Sequence, residues 1–153
     1  MKRVLIIDRN WALIEKVRAA ITALPPTLSV EAKVGDIFEE EGVIVSASNP
    51  AFSMGGGLDA QIRRRFPDLC AQVDASKGNQ RIESIVFAVT VGEDYRATPE
   101  LVASALSFAL SSLKDGERLL VSGLGTGIGG LREDEFVRLL LAALSTWDST
   151  SPS

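Results

Sequence analysis

The chain has 153 residues, 46% hydrophobic and 24% charged, a composition that suits one folded domain and excludes a disordered segment. Acidic residues outnumber basic ones by 20 to 16, which disfavours nonspecific nucleic-acid binding, because displacing counterions from phosphates takes a basic excess. Histidine is absent and Cys70 is the single cysteine, so an imidazole base, an imidazole-ligated metal, an intrachain disulfide and a cysteine zinc site are excluded. Met1-Lys2-Arg3 leads into a short strand-like run unlike a signal peptide, and no apolar run reaches membrane-spanning length. The expected compartment is the cytoplasm.

Val4-Leu5-Ile6-Ile7 predicts a strand buried on both faces, ending at Asp8-Arg9-Asn10. Leu13, Ile14, Val17 and Ile21 keep helical spacing behind an Asn10 N-cap, and Pro25-Pro26 stops that helix. Alternation at Leu28, Val30, Ala32 and Val34 predicts a half-buried strand, and Val43-Ile44-Val45 a buried one that runs into Ser46-Ala47-Ser48-Asn49-Pro50. Met54-Gly55-Gly56-Gly57 resists helix formation. Beyond it Leu58, Ile62 and Phe66, four apart, share one helical face, with Arg63, Arg64 and Arg65 mostly on the others. A β-prone run covers residues 82–90. Thr98 caps and Pro99 opens a helix that buries Val102, Ala105, Leu106, Ala109 and Leu113, with Gly116 as its expected end. Leu119-Leu120-Val121 predicts another strand, residues 123–130 a glycine-rich turn, and Phe136, Leu139, Leu140 and Ala143 a last helix. Residues 1–148 read as a single domain without repeats or linkers, and 149–153 as a flexible polar tail. Strands alternating with helices predict an α/β fold with helices on both faces of the sheet.

Two loops attract attention, 46–57 and 123–131, because each follows a buried strand and precedes a helix. Ligands of open α/β sheets bind beyond the carboxyl ends of the strands, where such loops gather. Glycines let main-chain N–H groups approach an anion, and a following helix N-terminus adds partial positive charge. Neither loop carries a P-loop or a dinucleotide fingerprint, so the glycines by themselves also fit simple strand-to-helix turns.

The combination is more specific. Val34-Gly35-Asp36-Ile37, Val43-Ile44-Val45-Ser46-Ala47-Ser48-Asn49, Met54-Gly55-Gly56-Gly57-Leu58-Asp59 and Gly123-Leu124-Gly125-Thr126-Gly127-Ile128-Gly129-Gly130 together resemble the macrodomain family in order and spacing, from the second strand to the last helix. The strand at Val4–Ile7 and its helix look like the N-terminal extension of some bacterial and phage-type members. The resemblance implies a three-layer α/β/α fold with a mixed central sheet, and a function in binding ADP-ribose or an ADP-ribosylated molecule. Some members also hydrolyse ADP-ribosyl linkages. No cofactor and no metal is implied, and a nucleic acid enters only as an ADP-ribosylated substrate.

Carried onto this sequence, the resemblance gives Asp36 the adenine amino group, with the Ile37 main chain beside it. It gives Asn49 the distal ribose, sets Gly55, Gly56 and Gly57 along that ribose and the diphosphate, and wraps the diphosphate in Gly125, Thr126, Gly127, Ile128 and Gly129. Asn49 and Asp59 are the candidate catalytic residues. Asp59 reads two ways: as the carboxylate that positions an attacking water, or as a helix N-terminal acid favoured by the dipole.

The sequence departs from the family where Ser46 replaces the first asparagine of its Asn-Ala-Ala-Asn motif and Met54 the first glycine of its run. Gly129 and Leu131 stand where aromatic residues often cover the distal ribose. Thr90-Val91-Gly92 lacks the lysine of one hydrolase branch, and Arg132 replaces that branch's aspartate. These departures motivate the alternative of a noncatalytic reader or a structural protein that has lost the ligand. A phosphoacceptor receiver domain, suggested by the opening strand and Asp8, fails because Val45 leads into Ser46 and not an acid. Glu39-Glu40-Glu41 reads as a solvated turn and Arg63-Arg64-Arg65 as an exposed helix side. Glu133, Asp134 and Glu135 read as first-turn acids, Cys70 as a filler and Trp147 as packing.

Overall fold

A computed structural model describes residues 2–53 and 55–150. Its core is a six-stranded sheet in the order β2-β1-β6-β3-β5-β4. The strands are β1 (Lys2–Asp8), β2 (Leu28–Val34), β3 (Val43–Ser48), β4 (Gln80–Ile82), β5 (Ile85–Val89) and β6 (Arg118–Val121). All pairings are parallel except β4 with β5, so the sheet is mixed. The central strands are apolar on both faces, as a sheet covered on both sides requires; Val4 to Ile7, Ile85 to Ala88 and Leu119 to Val121 are all buried.

Helices α1 (Trp11–Ile21), α4 (Pro99–Ser111) and α5 (Glu133–Thr150) form one layer. Leu13, Val17, Val102, Leu106, Phe136 and Leu140 pack there against Val4, Ile6, Val45 and Val121. Helices α2 (Gly57–Arg65) and α3 (Pro67–Cys70) lie on the other face, where Ile62 joins Leu5, Ile7, Ile85 and Phe87, with Phe66 and Cys70 packed against them. The three layers bury most of the apolar surface, the main driving force for the fold.

Local chemistry explains most boundaries. The Asn10 side chain accepts the Leu13 N–H, Thr98 accepts the Leu101 N–H, and Pro99 supplies a preset first turn. Three boundaries differ from expectation. The run at 82–90 is broken by Glu83, whose φ is +52, so Gln80–Ile82 and Ile85–Val89 fold back as an antiparallel hairpin. Helix α4 stops at Ser111, with Ser112 as its C-cap, five residues before the turn at Gly116. Helix α5 ends at Thr150, two residues into the stretch expected as a tail; residues 151–153 lie outside the described residues. No described helix is long and apolar enough to cross a membrane.

Candidate functional site: a cleft between two glycine turns

Adjacent strands β6 and β3 send their chains to opposite faces, β6 to α5 and β3 to α2. Such a switch point opens a crevice at the carboxyl ends of the strands. A cleft of about 720 Å³ lies there. It is lined by every ligand-binding or catalytic candidate from the sequence: Asp36, Ile37, Asn49, Gly55, Gly56, Gly57, Asp59, Gly125, Thr126, Gly127, Ile128 and Gly129. The two turns approach each other across it, since a Cβ built on Gly56 would lie 3.6 Å from Ile128 Cδ1. Met54 lies outside the described residues.

The second turn is shaped by its glycines. Gly125 has φ +78, and a side chain there would meet Ala97 Cβ at 2.8 Å. Around it the Thr126 hydroxyl and N–H both donate to the Gly123 carbonyl, and Leu131 N–H donates to the Gly125 carbonyl. The N–H groups of Gly125, Gly127, Ile128 and Gly129 find no acceptor among the described residues. The first turn matches it. Helix α2 has no side-chain N-cap, and the N–H groups of Gly57, Leu58 and Asp59 also lack an acceptor among the described residues. Unpaired donors and a helix N-terminus facing one cleft form a site for an anion.

Asp59 is only 5% exposed. Ser46 and Ser48, two residues apart on β3 and so on one face of the strand, both donate to its Oδ1, Ser48 at 3.1 Å. Its Oδ2 has no partner among the described residues, and Asp59 is one of the residues that line the cleft. Burial pushes the Asp59 carboxyl above its usual range, against the opposing pull of the two hydroxyls. Asn49 is committed differently: its amide donates to Ser53 Oγ at 2.7 Å and its carbonyl oxygen accepts the Ser53 N–H at 3.2 Å. Both ends of that side chain close the first turn.

At the other end, the Asp36 carboxylate accepts the Phe38 N–H at 2.9 Å and pairs with Arg9 at 3.3 Å. Arg9 is the cationic side chain among the lining residues. Asp8, Arg9, Phe38 and Tyr95 also line the cleft and were not among the ligand-binding candidates from the sequence. The first two sit at the carboxyl end of β1, where the switch-point rule could have found them; Tyr95 carries no local signal beyond its place in a loop. The acids of α5 do not line the cleft. Lys16 pairs with Glu133 and Asp134, Asn10 donates to Glu133, and Arg138 pairs with Glu135, which partly offsets those charges. Trp147 packs against the core under Lys2, whose Nζ lies 4.8 Å from the ring centre. Among the described residues no cluster of three or more aspartate, glutamate or cysteine side chains is arranged to hold a metal.

The fold is that of a macrodomain. Among solved structures the macrodomain of Mycobacterium tuberculosis DarG matches with a TM-score of 0.64 at 17% sequence identity, over 73% of this chain and 87% of that chain. No protein-family model and no curated protein matches the sequence.

Proposed function

We propose that this chain binds ADP-ribose, free or attached to another molecule, across the carboxyl ends of β2 to β5, in the cytoplasm. A lone unpaired thiol suits that reducing compartment. The observation that carries the reading is the set of N–H groups without acceptors, contributed by two turns to one cleft. They hold the diphosphate: Gly125, Gly127, Ile128 and Gly129 on one side, Gly55, Gly56 and Gly57 on the other, with Thr126 bracing its turn through the Gly123 carbonyl. Asp36, beside Ile37, takes the adenine amino group on the lone pairs that Arg9 and Phe38 leave free. Asn49 borders the distal ribose.

Hydrolysis is the further activity the site supports. Asp59 Oδ2 holds a water and takes its proton as the water oxygen bonds to the anomeric carbon, while the bond from that carbon to the leaving group breaks and its electron pair leaves with the departing group. No metal enters. A noncatalytic reader is the second reading, favoured by the Asn49 amide, which is spent on Ser53. Calorimetric titration of the purified chain with ADP-ribose and AMP tests the binding claim. Saturable heat with ADP-ribose supports it, and silence with both ligands at millimolar concentration refutes it.

A further inference from the structure

Strand β3 breaks its apolar pattern on the side that meets α2. Ile44, Ser46 and Ser48 alternate onto one face of the strand, and Ile44 packs there with Ile62 of α2. The next two places are serines, 0% and 2% exposed. A hydroxyl buried at such a depth needs a partner, and both find the same one. Asp59 lies one turn before Ile62 on α2 and is the single ionisable side chain among the described buried residues. Apolar residues at these three positions would fill the layer without burying a carboxyl, so the trio costs the fold stability.

Both hydroxyls donate to Oδ1 and leave Oδ2 without a partner among the described residues. Two donors on one oxygen fix the rotation of the carboxyl. They also stabilise its charged form, against the burial that favours the protonated one. A base must be unprotonated when its water is activated. Ser48 lines the cleft beside Asp59 and Ser46 does not, so an effect of Ser46 on a bound molecule passes through Asp59. The surrounding charges act elsewhere. Strand β3 carries no ionisable side chain. On α3, Asp68 is exposed, and Cys70 has its thiol held above the usual range, which keeps it neutral in acid. On α2, Arg63 donates to the Ser53 carbonyl, while Arg64 and Arg65 are exposed. Asp8, Arg9 and Asp36 reach the cleft from beyond the ends of β1 and β2.

We infer that Ser46, together with Ser48, is a positioning residue for the hydrolysis assigned to Asp59: the two hydroxyls anchor Oδ1 to β3 and keep Oδ2 as the base for the water. This rests on the hydrolytic reading above and adds the residues that let a buried carboxyl serve it. Ser46 stands at a departure from the macrodomain motif, and the departure supplies the support for the base.

The test follows release of ADP-ribose from two peptides, one carrying it on glutamate and one on serine, against pH for the full chain, Ser46→Ala and Ser48→Ala. The kcat of the parent should fall in acid as Asp59 takes up its proton. Loss of either hydroxyl should move that acid limb upward by about one pH unit, and Ser46→Ala should leave KM and ADP-ribose affinity unchanged. Thermal melting checks that the variants fold, and Ser48→Ala carries the test where Ser46→Ala does not fold. An acid limb that stays in place or moves down, or an effect of Ser46→Ala confined to KM, overturns the inference and leaves the hydrolytic reading standing. A parent that binds ADP-ribose and releases none from either peptide overturns the hydrolytic reading as well and leaves the binding site standing.

Discussion

Asp8 Oδ2 accepts the Gly123 N–H at 3.0 Å across 115 positions of sequence, while Oδ1 accepts the Asn10 N–H at 2.9 Å. One carboxylate thus fixes the start of the second glycine turn to the end of β1 and to the N-cap of α1. Hydrogen bonds to a charged acceptor contribute about 1.5–3 kcal/mol. Asp8→Ala is expected to destabilise the fold by about 2 kcal/mol in urea titration and to weaken ADP-ribose binding.

Gly127 and Gly129 separate packing from ligand contact. A methyl group on Gly127 meets nothing within 4 Å, whereas on Gly129 it strikes backbone and buttressing side chains. Gly129→Ala should cost about 1–3 kcal/mol of stability. Gly127→Ala should melt as the parent does yet bind ADP-ribose more weakly, because its methyl group adds bulk beside an N–H without an acceptor, which the proposed function assigns to the diphosphate. Melting curves paired with titrations check both.

The Asp59 carboxyl is raised above 3.8 by burial, so the folded chain holds this proton more tightly than the unfolded chain does. As pH rises from 3.8 towards the raised value, the unfolded state releases its proton first and stability falls; above that interval the loss is complete and constant. Asp59→Asn, which keeps an acceptor for Ser46 and Ser48, should therefore be more stable than the parent near neutrality, with the difference closing below pH 3.8. The same variant should keep its ADP-ribose affinity while losing any turnover.

Arg81 and Glu117 form a bidentate pair remote from the cleft, at 2.7 and 2.5 Å, and Arg81 holds the Glu117 carboxyl down at about 2. This contribution is present above pH 4.5 and is lost as pH falls towards 2. Partial exposure reduces its size, so Glu117→Gln should cost about 1 kcal/mol in denaturant titration and leave ADP-ribose affinity unchanged.

Tyr95→Gly relieves the left-handed strain and should stabilise the fold by about 1 kcal/mol, read as a rise in melting temperature.

Much of this molecule is legible in its sequence. Apolar runs such as Leu119–Val121 mark buried strands because both faces of the sheet are covered, and Asn10 and Thr98-Pro99 mark helix starts through capping chemistry. Four separated motifs converge on one cleft because they follow parallel strands. The Glu83 turn was not legible, since a glutamate with positive φ in a β-branched run has no composition signal. Nor were Asp8, which accepts the Gly123 N–H, and the loop of Tyr95, which Ala97 fastens to Gly129, because both contacts lie far apart along the chain. The closure of the first turn by Asn49 and Ser53 was likewise hidden in a motif that reads as ligand-facing.

The most direct measurement is the shift of individual backbone amide resonances during titration with ADP-ribose. The largest changes should fall on Gly125, Gly127, Ile128 and Gly129 together with Gly57, Leu58 and Asp59. Saturable binding that leaves these amides unmoved and perturbs another face would contradict a diphosphate held between the two turns.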